Sequence, residues 1–156
     1  MLLALFQPDI PQNLGAVLRL GACLDVGVEV IEPCGFPLSD RSIARAAMDY
    51  GTLARVRRHA GWTDFQQQRL GERRRLVLFT TKAAASFQAF AFRPDDILLF
   101  GRESAGAPDE VHEAADARVT IPLAPGARSL NLAVAAAIGL AEALRQTNGF
   151  PTAAVP

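Results

Sequence analysis

A chain of 156 residues, half of them hydrophobic, is long enough for one domain with a true core and leaves little room for two. Sixteen basic residues balance sixteen acidic ones, and a net charge of zero argues against a general nucleic-acid binder. Cys23 and Cys34 are too few for a disulfide framework and lie beside no histidine at ligand spacing, so they read as buried free thiols; His59 and His112 stand equally alone, and no metal site is expected.

The chain opens with LLALF, Leu2 to Phe6, a continuous apolar run of the kind a strand covered on both faces shows. No basic residue precedes it and Pro8 and Pro11 end it, so it reads as a first strand and not as a signal peptide. No apolar run reaches the roughly 20 residues a membrane span needs, and a soluble, cytoplasmic protein with no membrane partner is expected. In QPDIPQNLGAVLRLGACLDVG, Pro11 suits the first turn of a helix, Leu14, Val17, Leu18 and Leu24 form its apolar side, and Gly27 closes it. Asn13, Gly15 and Arg19 then lie near the carboxyl end of the first strand, where α/β sheets bind ligands. The plainer reading makes Gly15 a packing residue and Arg19 a surface charge.

Val28 to Pro33 is a second strand, after which Ser39 or Asp40 can cap a short helix with Ile43, Ala46, Ala47 and Met48 on one side and Arg41 and Arg45 on another. LARVRRH alternates apolar and basic residues, as an edge strand with one wet face does. GWTDFQQQRLG fits a helix anchored by Trp62 and Phe65, RLVLFTTK a strand ending in Thr80, Thr81 and Lys82, and AAASFQAFAF a loosely helical segment. DDILLFGRESAGAP is a strand opening into a glycine-containing loop, PDEVHEAADA a helix with Pro108 in its first turn, and ARVTI a return to the sheet. Strands alternating with helices predict a single α/β domain over residues 1–156, a mostly parallel sheet with helices on both faces.

The last stretch, Ile121 to Gln146, carries the longest helix in the chain. Pro122, Pro125 and Gly126 force a turn after the strand, and Ser129 can cap the helix beyond it. Leu130, Val134, Ala137, Ile138, Ala141 and Leu144 recur at helical spacing, alanines and Gly139 fill the other faces, and no charge appears between Arg128 and Glu142. A helix apolar all round is buried all round, so core on one side and a second subunit on the other are expected. Charge is uneven as well: nine arginines against three acids from Arg41 to Arg75, and seven acids against one arginine from Asp95 to Asp116. The first stretch could hold phosphates, since arginine forks match their oxygens; solvated helix faces are the alternative.

Three strands end in loops of unusual chemistry: Leu78 to Thr81, Phe100 to Gly106, and Ile121 to Asn131. If they converge, they make a pocket with apolar walls and exposed backbone groups, suited to an adenosine-type ligand. No G-x-x-x-x-G-K-[ST] loop is present and GRESAG does not match G-x-G-x-x-G, so neither a P-loop ATPase nor a dinucleotide enzyme is favoured.

Asn13, Gly15 and Arg19 as N-x-G-x-x-x-R, the segment around Gly35 and Tyr50, LFTTK, LLFGRESAG and IPLAPGARSLNLAVAAAI, taken in this order, resemble the SPOUT methyltransferases. The likeness covers essentially the whole chain and is nearest to the TrmL (YibK-like) group, which methylates the ribose 2′-oxygen of the tRNA wobble nucleotide. The resemblance implies a carboxyl-terminal trefoil knot, S-adenosylmethionine bound within it, a homodimer, and the anticodon stem-loop as partner, with leucine tRNAs as substrates and DNA excluded. It places the cofactor around Phe79, Gly101, Glu103, Ile121 and Ser129 with Leu123 and Leu130 lining the pocket, and catalysis at Arg19 and Asn13. Relatives often carry proline at the position of Arg102, arginine at that of Ala105, serine at that of Ala133 and tyrosine at that of Ala141.

A guanidinium keeps its proton at neutral pH, so Arg19 reads as a phosphate anchor that also stabilises the developing oxyanion. Glu103 is the nearest carboxylate base, or else a shaper of the loop through backbone amides. A non-catalytic RNA-binding dimer of the same fold and a ribosomal RNA methyltransferase are the alternative readings.

Overall fold

The computed structural model describes residues 1–39, 41, 43 and 54–152. Of the helix expected after a cap at Ser39 or Asp40, only Arg41 and Ile43 are described, both helical, with Ile43 N–H donating to Ser39 O at 2.9 Å; Asp40, Arg45, Ala46, Ala47, Met48 and Tyr50 lie outside the described residues. Six strands form one sheet: β1 (Leu2–Phe6), β2 (Gly27–Ile31), β3 (Val56–His59), β4 (Leu76–Phe79), β5 (Ile97–Phe100) and β6 (Ala117–Val119). Their order is β3-β2-β1-β5-β4-β6, and every pairing is parallel. The helices are α1 (Pro11–Cys23), α2 (Trp62–Gly71), α3 (Asp109–Ala114) and α4 (Leu132–Thr147).

Alternation along the strands sorts the core into two layers, as a period of two requires. Leu3, Leu5, Val28, Val30, Val77, Phe79, Leu98 and Phe100 face α1 and α4, while Ala4, Phe6, Ile31, Leu76, Leu78, Ile97 and Leu99 face α2 and α3. Both layers are dry, and for this reason the central strands are unbroken apolar runs in the sequence. The all-parallel sheet and the wet edge strand β3 agree with the reading of the sequence; β3 buries only His59 fully.

Other expectations are corrected. Gly27 opens β2 instead of closing α1: the helix ends at Cys23, Leu24 N–H donates to Leu20 O, and Asp25 takes the left-handed turn (φ 54°). The segment AAASFQAFAF holds only one 3-10 turn, Phe87–Ala89, because its backbone is drawn to β6: Phe87 N–H donates to Thr120 O and Thr120 N–H to Ala85 O. Its aromatics join Phe79, with Phe87 and Phe92 rings 6.3 and 6.2 Å away. Pro108 caps α3 from outside its first turn. Cys23 is exposed and Cys34 half-buried. His59 is not isolated: it is buried with Nε2 against the buried Glu29, and Asp64 lies 3.6 Å from Nδ1.

The arginines of the basic stretch pair with acids from elsewhere in the chain and, at Glu72, from the stretch itself. Arg69 meets Asp116 at 2.7 Å and Arg75 meets Asp96 at 2.7 Å, while Arg55, Arg57 and Arg58 pair with Asp25, Glu72 and Glu32. Much of the basic excess is thus spent within the molecule. Among the described residues no helix is long and apolar enough to cross a membrane, and no group of side chains could hold a metal ion.

Candidate active site

The carboxyl ends of β1, β5, β4 and β6 surround a cleft of about 500 Å³. Its walls are Ile10, Phe79, Phe100, Ile121, Leu123, Leu130 and Leu132; its polar groups include Asn13, Thr80, Lys82, Glu103, His112 and Ser129. Asn13, Phe79, Gly101, Glu103, Ile121, Leu123, Ser129 and Leu130, all named from the sequence, come together here. Arg19 does not line the cleft; it is exposed on α1, two turns beyond Asn13.

Two close approaches shape the apolar end. The Phe79 ring stacks 4.8 Å from Phe100, and a Cβ on Gly139 would stand 2.7 Å from the Phe79 ring, so α4 can lie against that ring only through a glycine. The loop after β5 folds back on itself: Arg102 N–H donates to Gly106 O at 3.0 Å, Gly106 N–H returns to Arg102 O at 2.8 Å, and Gly106 sits at φ 70°. This brings the Gly106 backbone against Gly101, which has no side chain to interfere.

The polar end is a relay of three side chains from three parts of the chain. Asn13 Nδ2 donates to Glu103 Oε1 at 2.9 Å, and Asn13 Oδ1 accepts from Asn131 Nδ2 at 2.8 Å. Asn131 Oδ1 in turn accepts from the N–H groups of Ala133 and Val134, at 2.9 and 3.2 Å. Asn131, not Ser129, is therefore the cap of α4. Both residue types cap well, and the sequence S-L-N offers them two positions apart, so only the contact with Asn13 decides between them. The second oxygen of Glu103 accepts Asp9 N–H at 2.8 Å, so the carboxylate shapes the loop through a backbone amide as well as holding Asn13. Burial, then the charges of Lys82 and Arg118, push His112 below the ordinary histidine value and favour the neutral ring at the cleft.

Replacing Asn131 by alanine removes the cap and the hold on Asn13 together. A loss of about 1 kcal/mol of stability is expected, read as a fall in thermal midpoint, while Asn131→Ser should lose less.

An adenosyl group fits this cleft on the observed geometry. The volume lies in the range of small-molecule sites, the walls are aromatic and aliphatic, and the glycine turn leaves backbone close to the ligand space. Among the described residues, Ser129, Leu130, Gly101, Ile121, Leu123 and Phe79 would hold it. An all-parallel sheet with this cleft at its carboxyl edge defines a small-molecule-binding α/β enzyme domain.

The chain belongs to the SpoU rRNA Methylase family, whose model matches residues 1–141. It is 59% identical over 149 residues to the tRNA (cytidine(34)-2'-O)-methyltransferase of Beijerinckia indica, covering 96% of this chain and 93% of that one. A solved structure concerned with the 2-OH methylation of C/U34 on tRNA superposes with a TM-score of 0.86 at 40% identity, over 94% and 95% of the two chains. An AdoMet-bound rRNA methyltransferase from Sinorhizobium meliloti superposes with a TM-score of 0.81 at 30% identity, over 92% of this chain and 55% of that one.

Proposed function

We propose that this protein transfers a methyl group from S-adenosylmethionine to the ribose 2′-hydroxyl of the tRNA wobble nucleotide, C34 or U34. The observation that carries this reading is the convergence of Phe79, Gly101, Ile121, Leu123, Ser129 and Leu130 on one apolar cleft whose open polar end is Asn13 and Glu103. In support, the Beijerinckia indica relative is a tRNA (cytidine(34)-2'-O)-methyltransferase, and the solved structure at 40% identity concerns the 2-OH methylation of C/U34 on tRNA.

When bound, S-adenosylmethionine supplies the methyl group from a sulfonium. The 2′-oxygen forms the new bond to carbon as the sulfur–carbon bond breaks and S-adenosylhomocysteine departs, and the hydroxyl proton passes to a neighbouring backbone phosphate or to water. The positive charge on sulfur is neutralised in this displacement, so an apolar wall favours it, and alignment supplies much of the rate. Asn13, with one amide hydrogen on Glu103 and its oxygen on Asn131, presents its remaining N–H in a fixed direction to the acceptor ribose. Arg19, exposed on α1 and outside the lining of this cleft, anchors a backbone phosphate of the tRNA. Glu103 orients Asn13 by the bonds it already makes.

A homodimer belongs to the same proposal. Leu130 and Val134 are 36% and 47% exposed, and Ala141 continues the same open side of α4, so this chain alone covers the helix on one side only. The family's trefoil knot and leucine tRNAs as substrates come with the resemblance, and a cytoplasmic location with the reading of the sequence. The test is incubation with methyl-labelled cofactor and either bulk tRNA or ribosomal RNA, followed by mapping of the modified nucleotide. Label at the 2′-oxygen of position 34 is expected; label confined to ribosomal RNA, or none in either, would overturn the assignment.

A further inference from the structure

We propose that Asp9 is a positioning residue for methyl transfer, clasping the loop after β5 to the loop after β1 so that the cofactor side and the ribose side of the cleft keep one relative placement. The inference rests on the function proposed above. Asp9 is not part of the cleft lining, yet it binds three consecutive residues of the other loop. Its Oδ1 accepts from Arg102 Nε at 3.2 Å and Nη2 at 2.7 Å. Its Oδ2 accepts from Ser104 N at 3.1 Å and Ser104 Oγ at 2.5 Å. Its backbone N–H donates to Glu103 Oε2.

The clasp is closed from behind. A Cβ on Gly35 would stand 2.9 Å from Asp9 Oδ1 and 3.0 Å from Asp9 Cα, and Gly35 N–H donates to Pro8 O at 2.9 Å. Gln7 Oε1 takes a further, longer bond from Arg102 Nη1 at 3.4 Å. Asp9 thus has a wall on one side and the 102–104 loop on the other. The hydrogen bonds of Arg102, then those of Ser104, hold its carboxyl down to about 2, so the clasp stays charged through the neutral range.

The two loops tied in this way carry different parts of the site. Gly101, immediately before the clasped residues, lies on the cofactor side, while Glu103, in their middle, holds Asn13 on the acceptor side. β1 and β5 are neighbours in the sheet, with Leu5 opposite Phe100, so their loops leave from the same level. Beyond that level no ladder bonds them, and the contacts of Asp9, with the longer bond of Gln7, supply the tie. In a displacement that must be in line, a shift of a fraction of an ångström between the two sides reduces the rate without emptying either subsite.

The experiment compares Asp9→Asn, Arg102→Gln, the double variant and Ser104→Ala for cofactor affinity by calorimetry and for single-turnover methyl transfer to tRNA. Asp9→Asn keeps the size but puts an amide where Ser104 and Arg102 need acceptors. Its transfer rate is expected to fall roughly ten- to a hundredfold while the cofactor dissociation constant moves by less than about threefold. The double variant should be no slower than the slower single, because both changes open one clasp. Ser104→Ala, which leaves the Arg102 pair and the Ser104 amide in place, should be the mildest. An unchanged rate, a rate and affinity that fall in proportion, or additive effects in the double variant would overturn the proposal. If Asp9→Asn does not fold, Arg102→Gln decides by the same two readouts. Wild-type protein that binds cofactor but methylates no tRNA would instead overturn the function itself.

Discussion

Alanine in place of Gly101 should weaken S-adenosylmethionine binding by about tenfold to a hundredfold, more than any other single methyl group added to the cleft. An added Cβ would lie 2.4 Å from the Gly106 carbonyl carbon, 2.5 Å from Ala107 N and 2.9 Å from Gly106 O. All three are backbone atoms, pinned by the reciprocal Arg102 and Gly106 hydrogen bonds, so no side chain can swing aside. The loop must open, and the ligand loses the wall it leans on. Overpacking of this kind costs about 1–3 kcal/mol, and each 1.4 kcal/mol is a factor of ten in affinity. Titration calorimetry reads the change directly. Gly71→Ala, where the new methyl meets nothing within 4 Å, is the control and should bind as wild type. Wild-type affinity in Gly101→Ala would show that this turn does not contact the cofactor.

The largest stability effect is expected at Arg75. Asp96 is fully buried, and it accepts Arg75 Nε at 2.8 Å, Arg75 Nη2 at 2.7 Å and Arg93 N–H at 2.8 Å. Arg75 also donates to Ala91 O and lies 4.8 Å over the Phe90 ring. Truncation to alanine leaves a buried carboxylate with one backbone donor, a loss of about 3–5 kcal/mol. The guanidinium is partly exposed, which places the expected value at the lower end. At about 2–4 °C per kcal/mol for a chain of this size, the thermal midpoint should fall by roughly 6–12 °C. Arg75→Lys keeps the charge without the planar fork and should fall between the two. A midpoint for Arg75→Ala within about 2 °C of wild type would show that this pair does not hold the amino-terminal ends of β4 and β5 together.

The sheet was legible because its information is local. Leu76–Phe79 and Ile97–Phe100 are short continuous apolar runs, as strands buried on both faces show, and the alternation of strands with helices along the chain points to a parallel order. Several features depended instead on distant partners. Residues 83–92 carry enough alanine and phenylalanine to suggest a helix, but their backbone pairs with Thr120 and their rings seek Phe79. The arginines of the first half find acids as far along as Asp96 and Asp116, which no count within a stretch can anticipate. For the site, strand ends announced the loops, while their convergence was supplied by resemblance to a family. Asn13 and Glu103 are 90 positions apart and meet only because β1 is inserted beside β5. Asp9 carried no signal at all, since one aspartate between two prolines is ordinary turn composition; its part emerges only when its four acceptor contacts are seen together.

Because one amide side chain both starts α4 and steadies Asn13, fraying at the amino end of that helix and slackening of the relay are a single motion. The Ala133 and Val134 amides, bonded to Asn131 Oδ1, therefore serve as built-in reporters. Their rate of exchange with deuterated solvent tracks how much of the time the acceptor side of the cleft is assembled, and ligands that order the relay should slow it.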